Sequence, residues 1–415
     1  MHVTANLNPV SVPVPSPEGV RAGPGTPRRA NLALVLRTVC TADVPPSRAD
    51  VAAATGMTRA TAARLADDLV AGGLLDEVEA TPSGRRGRPA TPLAPGSRVV
   101  ALGLQADAGL LAGRVLDLRG RVVSQRVEPG DLRGSDPAPT LARLGDLAAD
   151  LLGGLPDGTR VAGTGLALPG IVDGATGVLL RAPNLGWSDV RPADLLVPRL
   201  PGGLDPVAGN EADLAARTVA ETAPGRPGPH RDFVYLSGQI GIGGATVLDG
   251  RVMCGSSGWA GEMGHVCVDP DGPACRCGST GCLEQYAGRD ALLAAAGLPR
   301  SAAPGELARR AAGGDPAAAA AVAGAARALG VALAGVLNVL DVPVVVLGGH
   351  LGELAGLLRP ALEEHLGRRV LSARWRRPRV EAAPGAPAAG ATGAALRALA
   401  DVVDDPAHWL TLAPA

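Results

Sequence analysis

The chain of 415 residues contains no lysine: its 39 basic residues are all arginine, set against 40 acidic ones for a net charge of -1. That balance excludes a protein coated in positive charge, so any contact with nucleic acid has to be confined to one segment. With abundant Ala, Gly and Pro, the exclusive use of arginine reads as the codon bias of a GC-rich genome. Also missing is any apolar run of the about 18 to 20 residues that a membrane helix needs, because Arg, Asp, Gly or Pro interrupts each one. The first 27 residues have neither the basic start nor the apolar stretch of a signal peptide. These absences predict a cytoplasmic protein with no membrane partner, whose six cysteines are metal ligands or buried thiols rather than disulfides.

What is present is core material. Apolar residues make up 46% of a chain too long for one ordinary core, so two or three folding units are expected. Residues 1–27, with Pro9, Pro13, Pro15, Pro17, Pro24 and Pro27, read as a disordered arm. From Ala30 to Thr41, Leu32, Val35, Leu36 and Val39 recur at helical spacing. Ser47 caps a second short helix, Thr55-Gly56-Met57 turns the chain, and Thr58 caps a third helix that ends at Gly72-Gly73. Leu74, Leu75 and Val78 begin a strand, and residues 81–92 form a loop of Gly, Arg and Pro. Three helices and a β-wing over residues 28–95 predict a winged helix-turn-helix.

The basic residues of this segment sit where DNA contact requires them. Thr58, Arg59, Thr61 and Arg64 lie at the amino-terminal end of the helix that such a motif lays in the major groove. Arg85, Arg86 and Arg88 occupy the glycine-rich wing, where guanidinium groups suit a narrow minor groove. Residues 28–98 hold ten Arg against seven Asp plus Glu, a local basic excess on a slightly acidic chain. These seven residues are the candidate DNA contacts.

Beyond a boundary at residues 95–98 the pattern changes to strands at Val99 to Leu104, Leu111 to Leu118 and Arg121 to Val127. Further strands (Val161 to Leu168, Val234 to Leu236, Val342 to Leu347) alternate with helices, one of them Ala-rich and starting at Asp315-Pro316, which implies an α/β domain over residues 98–402 followed by a tail, 403–415. Within it, His265, Cys275, Cys277 and Cys282 follow the spacing H-x9-C-x-C-x4-C. One imidazole and three thiolates complete a tetrahedral zinc site. No position is left open for water, so the zinc is expected to be structural. Cys40, Cys254 and Cys267 fall outside the pattern and read as packing residues.

Glu262-Met263-Gly264-His265, Cys275-Arg276-Cys277-Gly278 and Gly281-Cys282-Leu283-Glu284 together resemble the signature of the ROK family of repressors, open reading frames and sugar kinases. The resemblance extends through the Gly-Arg-Pro wing, Leu168-Pro169-Gly170-Ile171-Val172-Asp173, Ala182-Pro183-Asn184-Leu185-Gly186-Trp187, Asn210-Glu211-Ala212 and Leu347-Gly348-Gly349-His350. It implies a two-lobed, actin-like (ribonuclease H-like) sugar-kinase fold with a sugar cleft between the lobes. Carried over position by position, the sugar-binding residues are Asn184, Asn210, Glu211, Glu262, His265 and Glu284. His265 can hold zinc through one ring nitrogen and donate to a sugar hydroxyl through the other.

The same resemblance argues against catalysis. Where the kinases carry an Asp-x-Gly-Gly-Thr phosphate loop, this chain has Gly103-Leu104-Gln105-Ala106-Asp107-Ala108-Gly109, and the catalytic base position of the Asn-Asp pair is Glu211. An added methylene displaces a carboxylate by about an ångström, and phosphoryl transfer depends on positioning. The expectation is a sugar-responsive DNA-binding regulator, a repressor of carbohydrate genes. It would bind double-stranded operator DNA as a homodimer or higher homo-oligomer and take a sugar or sugar phosphate as effector. The alternative is an ATP-dependent hexose kinase.

Overall fold

A computed structural model describes residues 27–79, 91–303, 305–385 and 387–411. The chain opens with three helices, α1 (Pro27–Thr41), α2 (Arg48–Thr55) and α3 (Arg59–Ala71). Their starts are set by local capping. Ser47 and Asp50 form a reciprocal capping box at α2, and the Thr58 hydroxyl accepts from the Thr61 N–H at 3.2 Å at α3. A short antiparallel pair follows, β1 (Leu75–Glu77) against β2 (Leu93–Pro95). The candidate wing residues Arg85, Arg86 and Arg88 lie outside the described residues. Helix α1 starts at Pro27, the last residue assigned to the arm, where the fixed φ of proline suits the first helical turn.

The rest is two lobes built on one plan. In the first, β3 (Val99–Asp107), β4 (Leu110–Asp117) and β5 (Val122–Pro129) form an antiparallel meander. Helix α4 (Pro137–Gly153) leads to β6 (Arg160–Leu168), which joins β3 in parallel. A small sheet of β7 (Ile171–Val172), β8 (Leu179–Ala182) and β9 (Trp187–Val190) interrupts the lobe before β10 (Pro206–Asn210) joins β6 in parallel and runs into α5 (Glu211–Ala220). The second lobe repeats the order. Strands β11 (Phe233–Gly238), β12 (Ile242–Leu248) and β13 (Arg251–Val252) meander, and β14 (Val344–Gly348) and β15 (Arg379–Ala382) add in parallel. This duplicated five-stranded sheet is the actin-like, ribonuclease H-like fold.

Helices α6 (Pro316–Leu340) and α7 (Ala355–Arg369) cover the second sheet. The side chain of Asp315 starts α6 by accepting from the Ala317 and Ala318 N–H groups at 2.9 and 3.1 Å. By length and composition α6 could cross a bilayer, but its Leu329, Leu333 and Leu337 are buried in one core with Leu358, Leu362 and Leu366 of α7. An apolar helix covered by its neighbours is the expected inner layer of an α/β lobe.

Of residues 403–415, read from the sequence as a tail, the described part, 403–411, is mostly helical. Helix α8 (Ala389–Asp404) crosses the first lobe and α9 (Pro406–Thr411) follows it. Trp409 is buried in the same core as Leu32, Val35 and Leu36 of α1 and Leu65 and Leu69 of α3, and its indole N–H donates to the Gly72 carbonyl at 3.3 Å. The run Pro406-Ala407-His408 has no helical periodicity of its own to reveal this, because its partners lie more than 300 residues away. Cys40 is buried as expected, whereas Cys254 and Cys267 are exposed, so the packing role assigned to those two does not hold. Both occupy loops, outside the apolar faces that bury a thiol.

Candidate functional site: a polar cleft beside a thiol cluster

The carboxyl ends of β6 and β10 and the loops of the second lobe enclose a cleft of about 260 Å³. Asn184, Asn210, Glu211, Glu262, His265 and Glu284, the six residues singled out from the sequence, all line it. They arrive from separate segments, except that Glu262 and His265 share one helical turn. Asn184 sits in the turn between β8 and β9. Asn210 ends β10 and caps α5, its Oδ1 accepting from the Ala212 and Asp213 N–H groups at 2.8 and 3.2 Å while its Nδ2 donates to the Gly170 carbonyl at 2.9 Å. Asn210 therefore fixes the floor of the cleft. Gly241 lies opposite, where a Cβ would come within 2.5 Å of Glu284 Oε2 and 2.6 Å of Asn184 Nδ2; any side chain there would fill the space on which those two groups converge.

Glu211 opens α5 and is buried, its Oε1 accepting from the Ser237 hydroxyl at 3.1 Å. Burial, with the nearby Asp107 carboxylate adding to it, pushes its carboxyl up to about 7 against the opposing hydroxyl bond. Asp107 is buried at the end of β3, which raises its carboxyl as well despite hydrogen bonds from the Gly109 N–H, the Gln105 amide and the Leu110 N–H. Asp107, Ser237 and Gln239 are cleft residues that the sequence reading did not select. Asp107 was visible only as a charge displaced by two positions from the kinase loop. The period-2 geometry of a strand, which returns residues 105 and 107 to one face, is the signal that could have found it.

The cleft is acidic. Asp107, Glu211, Glu262 and Glu284 line it against one arginine, Arg181, and that residue is exposed. Burial raises the Glu262 carboxyl, His265 draws it back down and Glu284 lifts it again.

One wall is shared with a second cluster. The ligand atoms of His265, Cys275, Cys277 and Cys282 all lie within 4.8 Å of one another. Cys277 Sγ is 3.7 Å from Cys282 Sγ, and Cys275 Sγ is 3.8 Å from His265 Nδ1. A tetrahedron with metal–sulfur bonds of about 2.3 Å has edges of about 3.8 Å, so the four side chains are spaced to hold a metal ion. His265 turns its Nδ1 to the thiols and its Nε2 towards Glu262, 3.8 Å away, while the Cys275 thiol donates to Glu284 Oε1 at 3.0 Å. Two cleft carboxylates thus contact the thiol cluster directly.

In the amino-terminal unit, Arg59 and Arg64 are exposed on α3 and make no ion pair among the described residues. By contrast Arg28 and Arg48 are tied to Asp68 and Asp67. The Thr58 hydroxyl, which caps α3 through the Thr61 N–H, also lies 2.9 Å from the Thr61 hydroxyl.

A family model of ROK proteins matches residues 131–401. The chain belongs to the ROK family. This ROK protein is 29% identical over 279 residues to the xylose repressor of Caldicellulosiruptor bescii, a match that covers 64% of this chain and 65% of that relative's length. It shares its fold with a solved ROK family transcriptional regulator described as a homolog of the E. coli MLC protein, at a TM-score of 0.73 and 24% identity over 92% of this chain and 98% of the other. A ROK family glucokinase from Streptomyces griseus, solved with glucose and AMPPNP, covers 71% of this chain and 98% of its own length at a TM-score of 0.60 and 27% identity.

Proposed function

We propose that this ROK protein is a sugar-responsive transcriptional repressor: a homodimer in the cytoplasm that grips operator DNA with an amino-terminal winged helix-turn-helix and releases or tightens it when a sugar fills the cleft. The observation that carries the reading is the convergence of six polar side chains from both lobes on one cleft in a chain whose third helix presents two exposed arginines, Arg59 and Arg64, with no ion pair among the described residues. Carboxylates and amides facing one another suit the hydroxyls of a monosaccharide. Four carboxyl groups against one exposed arginine disfavour a phosphate, so the effector is an unphosphorylated sugar. The xylose repressors among the relatives agree with a sugar effector and a repressing role.

Phosphoryl transfer is not part of this function. Gln105 replaces the acid of the kinase phosphate loop, and the nearby carboxylate of Asp107 is taken up by the Gly109 and Leu110 N–H groups and the Gln105 amide. Nothing at that end of β3 is free to hold a metal–nucleotide.

The four thiol-cluster residues hold a structural zinc ion, which ties together the loop carrying Glu262 and the turn carrying Glu284. The ion supplies cross-linking, with no open coordination position for chemistry.

Titration of the full chain with D-xylose, D-glucose, N-acetylmannosamine and their phosphates, followed by thermal midpoint, tests the reading. A ligand at about 100 times its dissociation constant adds roughly 2.7 kcal/mol, enough to raise the midpoint by several degrees. A rise with a free sugar and none with its phosphate is expected; a flat response to every sugar would sink the proposal. For the DNA arm, Arg64→Ala should weaken binding to a duplex selected from a random pool by about tenfold, with sugar affinity unchanged. Fluorescence anisotropy reads the first quantity and calorimetry the second. Equal DNA affinity in the two proteins would remove Arg64 from the interface.

A further inference from the structure

A buried glutamine side chain bridges the cleft to the first turn of the helix on which the amino-terminal unit rests. Gln105 is fully buried in the central strand β3, and both ends of its amide are used. Its Nε2 donates to Asp107 Oδ2 at 2.8 Å, and its Oε1 accepts from the Ala391 N–H at 3.0 Å, across 286 residues of sequence. Ala391 lies in the first turn of α8, and its N–H is shared between Gln105 Oε1 and the Ala388 carbonyl, which is 3.1 Å away. The N-cap position there is Ala388, whose side chain has no acceptor to offer. Gln105 thus serves as a remote cap for α8, and at its other end holds a carboxylate that lines the cleft.

Helix α8 has no slack at this end. A Cβ on Gly103 would lie 1.8 Å from the Ala391 carbonyl, and one on Gly393 would lie 1.6 Å from that of Leu214 in α5, so β3, α5 and α8 meet backbone to backbone. Arg114 of β4 adds hydrogen bonds to the Pro387 carbonyl, at 3.1 Å, and to the Thr392 hydroxyl. A packed interface of this kind transmits a shift as a rigid-body motion rather than absorbing it.

The far half of α8 belongs to a different core. Leu396, Leu399, Val402 and Val403 are buried with Leu32, Val35 and Leu36 of α1 and Leu65 and Leu69 of α3. Asp404 pairs with Arg37 at 2.6 Å, Asp405 pairs with Arg29, and Trp409 on α9 holds the Gly72 carbonyl at the end of α3. The 16 residues of α8 span about 24 Å. One rigid rod therefore has its first turn at the cleft and its last under α1.

We propose that Gln105 is the positioning residue that couples the cleft to the DNA-facing helices: a sugar hydroxyl donated to Asp107 competes with the Gln105 amide, which resets the first turn of α8 and, through α8, the seat of α1 and α3. The proposal rests on the reading of the cleft as a sugar site. Glutamine suits the task because it is neutral and presents a donor to a carboxylate and an acceptor to a backbone N–H at once. Methionine matches its length and offers neither. Glutamate would set a second carboxylate against Asp107.

The test uses the full chain, whichever of D-xylose, D-glucose and N-acetylmannosamine raises the thermal midpoint, and a duplex selected from a random pool. In the unaltered protein, saturating sugar should change the DNA dissociation constant by about tenfold. Gln105→Met should keep its sugar affinity, and its DNA affinity without sugar, within about threefold, while the sugar-dependent change falls below about twofold. A simple packing defect would shift the affinities and leave their ratio alone. Retention of the full ratio in Gln105→Met overturns the proposal. Hydrogen exchange on the unaltered chain gives a readout independent of any variant. Sugar should alter protection across residues 389–404 and 27–41 and leave residues 316–340 unchanged, whereas changes confined to the cleft loops would overturn the relay and leave sugar binding standing. If none of the three sugars binds, the reading of the cleft falls and the relay with it.

Discussion

Removing the metal, by chelation or by Cys282→Ser, is expected to produce the largest loss of stability of any single change considered. Cys282 is fully buried and its Sγ lies 3.7 Å from that of Cys277, so a hydroxyl in its place cannot complete a set of three thiolates. Small zinc domains bind their ion with about 10–16 kcal/mol of apparent free energy, which sets an upper bound here. The second lobe has its own core of Leu329, Leu333, Leu358 and Leu362. The loss should therefore loosen the segment between Glu262 and Glu284 before it unfolds the lobe. Scanning calorimetry with and without chelator should show a lowered midpoint, elemental analysis about one zinc per chain, and sugar titration a weakened response, because His265 belongs to both the cluster and the cleft and the cleft's Glu284 bonds Cys275. A purified protein free of metal, with a midpoint indifferent to chelator, would contradict the zinc assignment.

Glu211→Gln is expected to stabilise the protein at neutral pH and to have little effect at pH 4. The Glu211 carboxyl is pushed up to about 7 by burial and by Asp107, from 4.5 in an unfolded chain. Between those values the unfolded chain has given up its proton and the folded chain has kept it, so the folded state binds more protons and stability falls as pH rises. The cost is absent below about pH 4.5 and complete above about pH 7. A shift of about two and a half pKa units corresponds to an order of 3 kcal/mol. Comparing the two proteins at pH 4 and 7.5 isolates this contribution from the acid sensitivity of the thiol cluster, which both share. A gap that is the same at both pH values would show that the carboxyl is ionised throughout. The stored cost also has a use. A sugar hydroxyl donated to Glu211 would favour its ionised form, so part of the stability given up by the empty protein returns on binding.

Several parts of this molecule were legible before any coordinates. Ser47, Thr58 and Asp315 start their helices through bonds spanning two or three residues, and such signals lie in plain view along the chain. The thiol cluster was legible because its three cysteines fall within eight residues of sequence and glycines 278 and 281 turn the chain around them. The six cleft residues were found through family resemblance alone. No periodicity joins Asn184 to Glu284, and the fold brings them together over Gly241. Asp107, two positions past the missing acid of the kinase loop, lines the cleft because alternation along β3 decides its direction.

The sequence by itself determined the local events: where helices begin, which thiols can share an ion, which segment holds the basic excess, and that the kinase phosphate loop is absent. Each depends on residues a few positions apart, where chain connectivity alone brings the groups into reach. Only the tertiary structure decided that Gln105 caps a helix 286 residues away and that Trp409 anchors the end of α3 from what was read as a tail. It also decided that Glu211 sits beside Asp107 in a site dry enough to hold its proton to about pH 7. Burial and long-range pairing depend on every element that packs around a group, and composition and spacing carry no record of which elements those are.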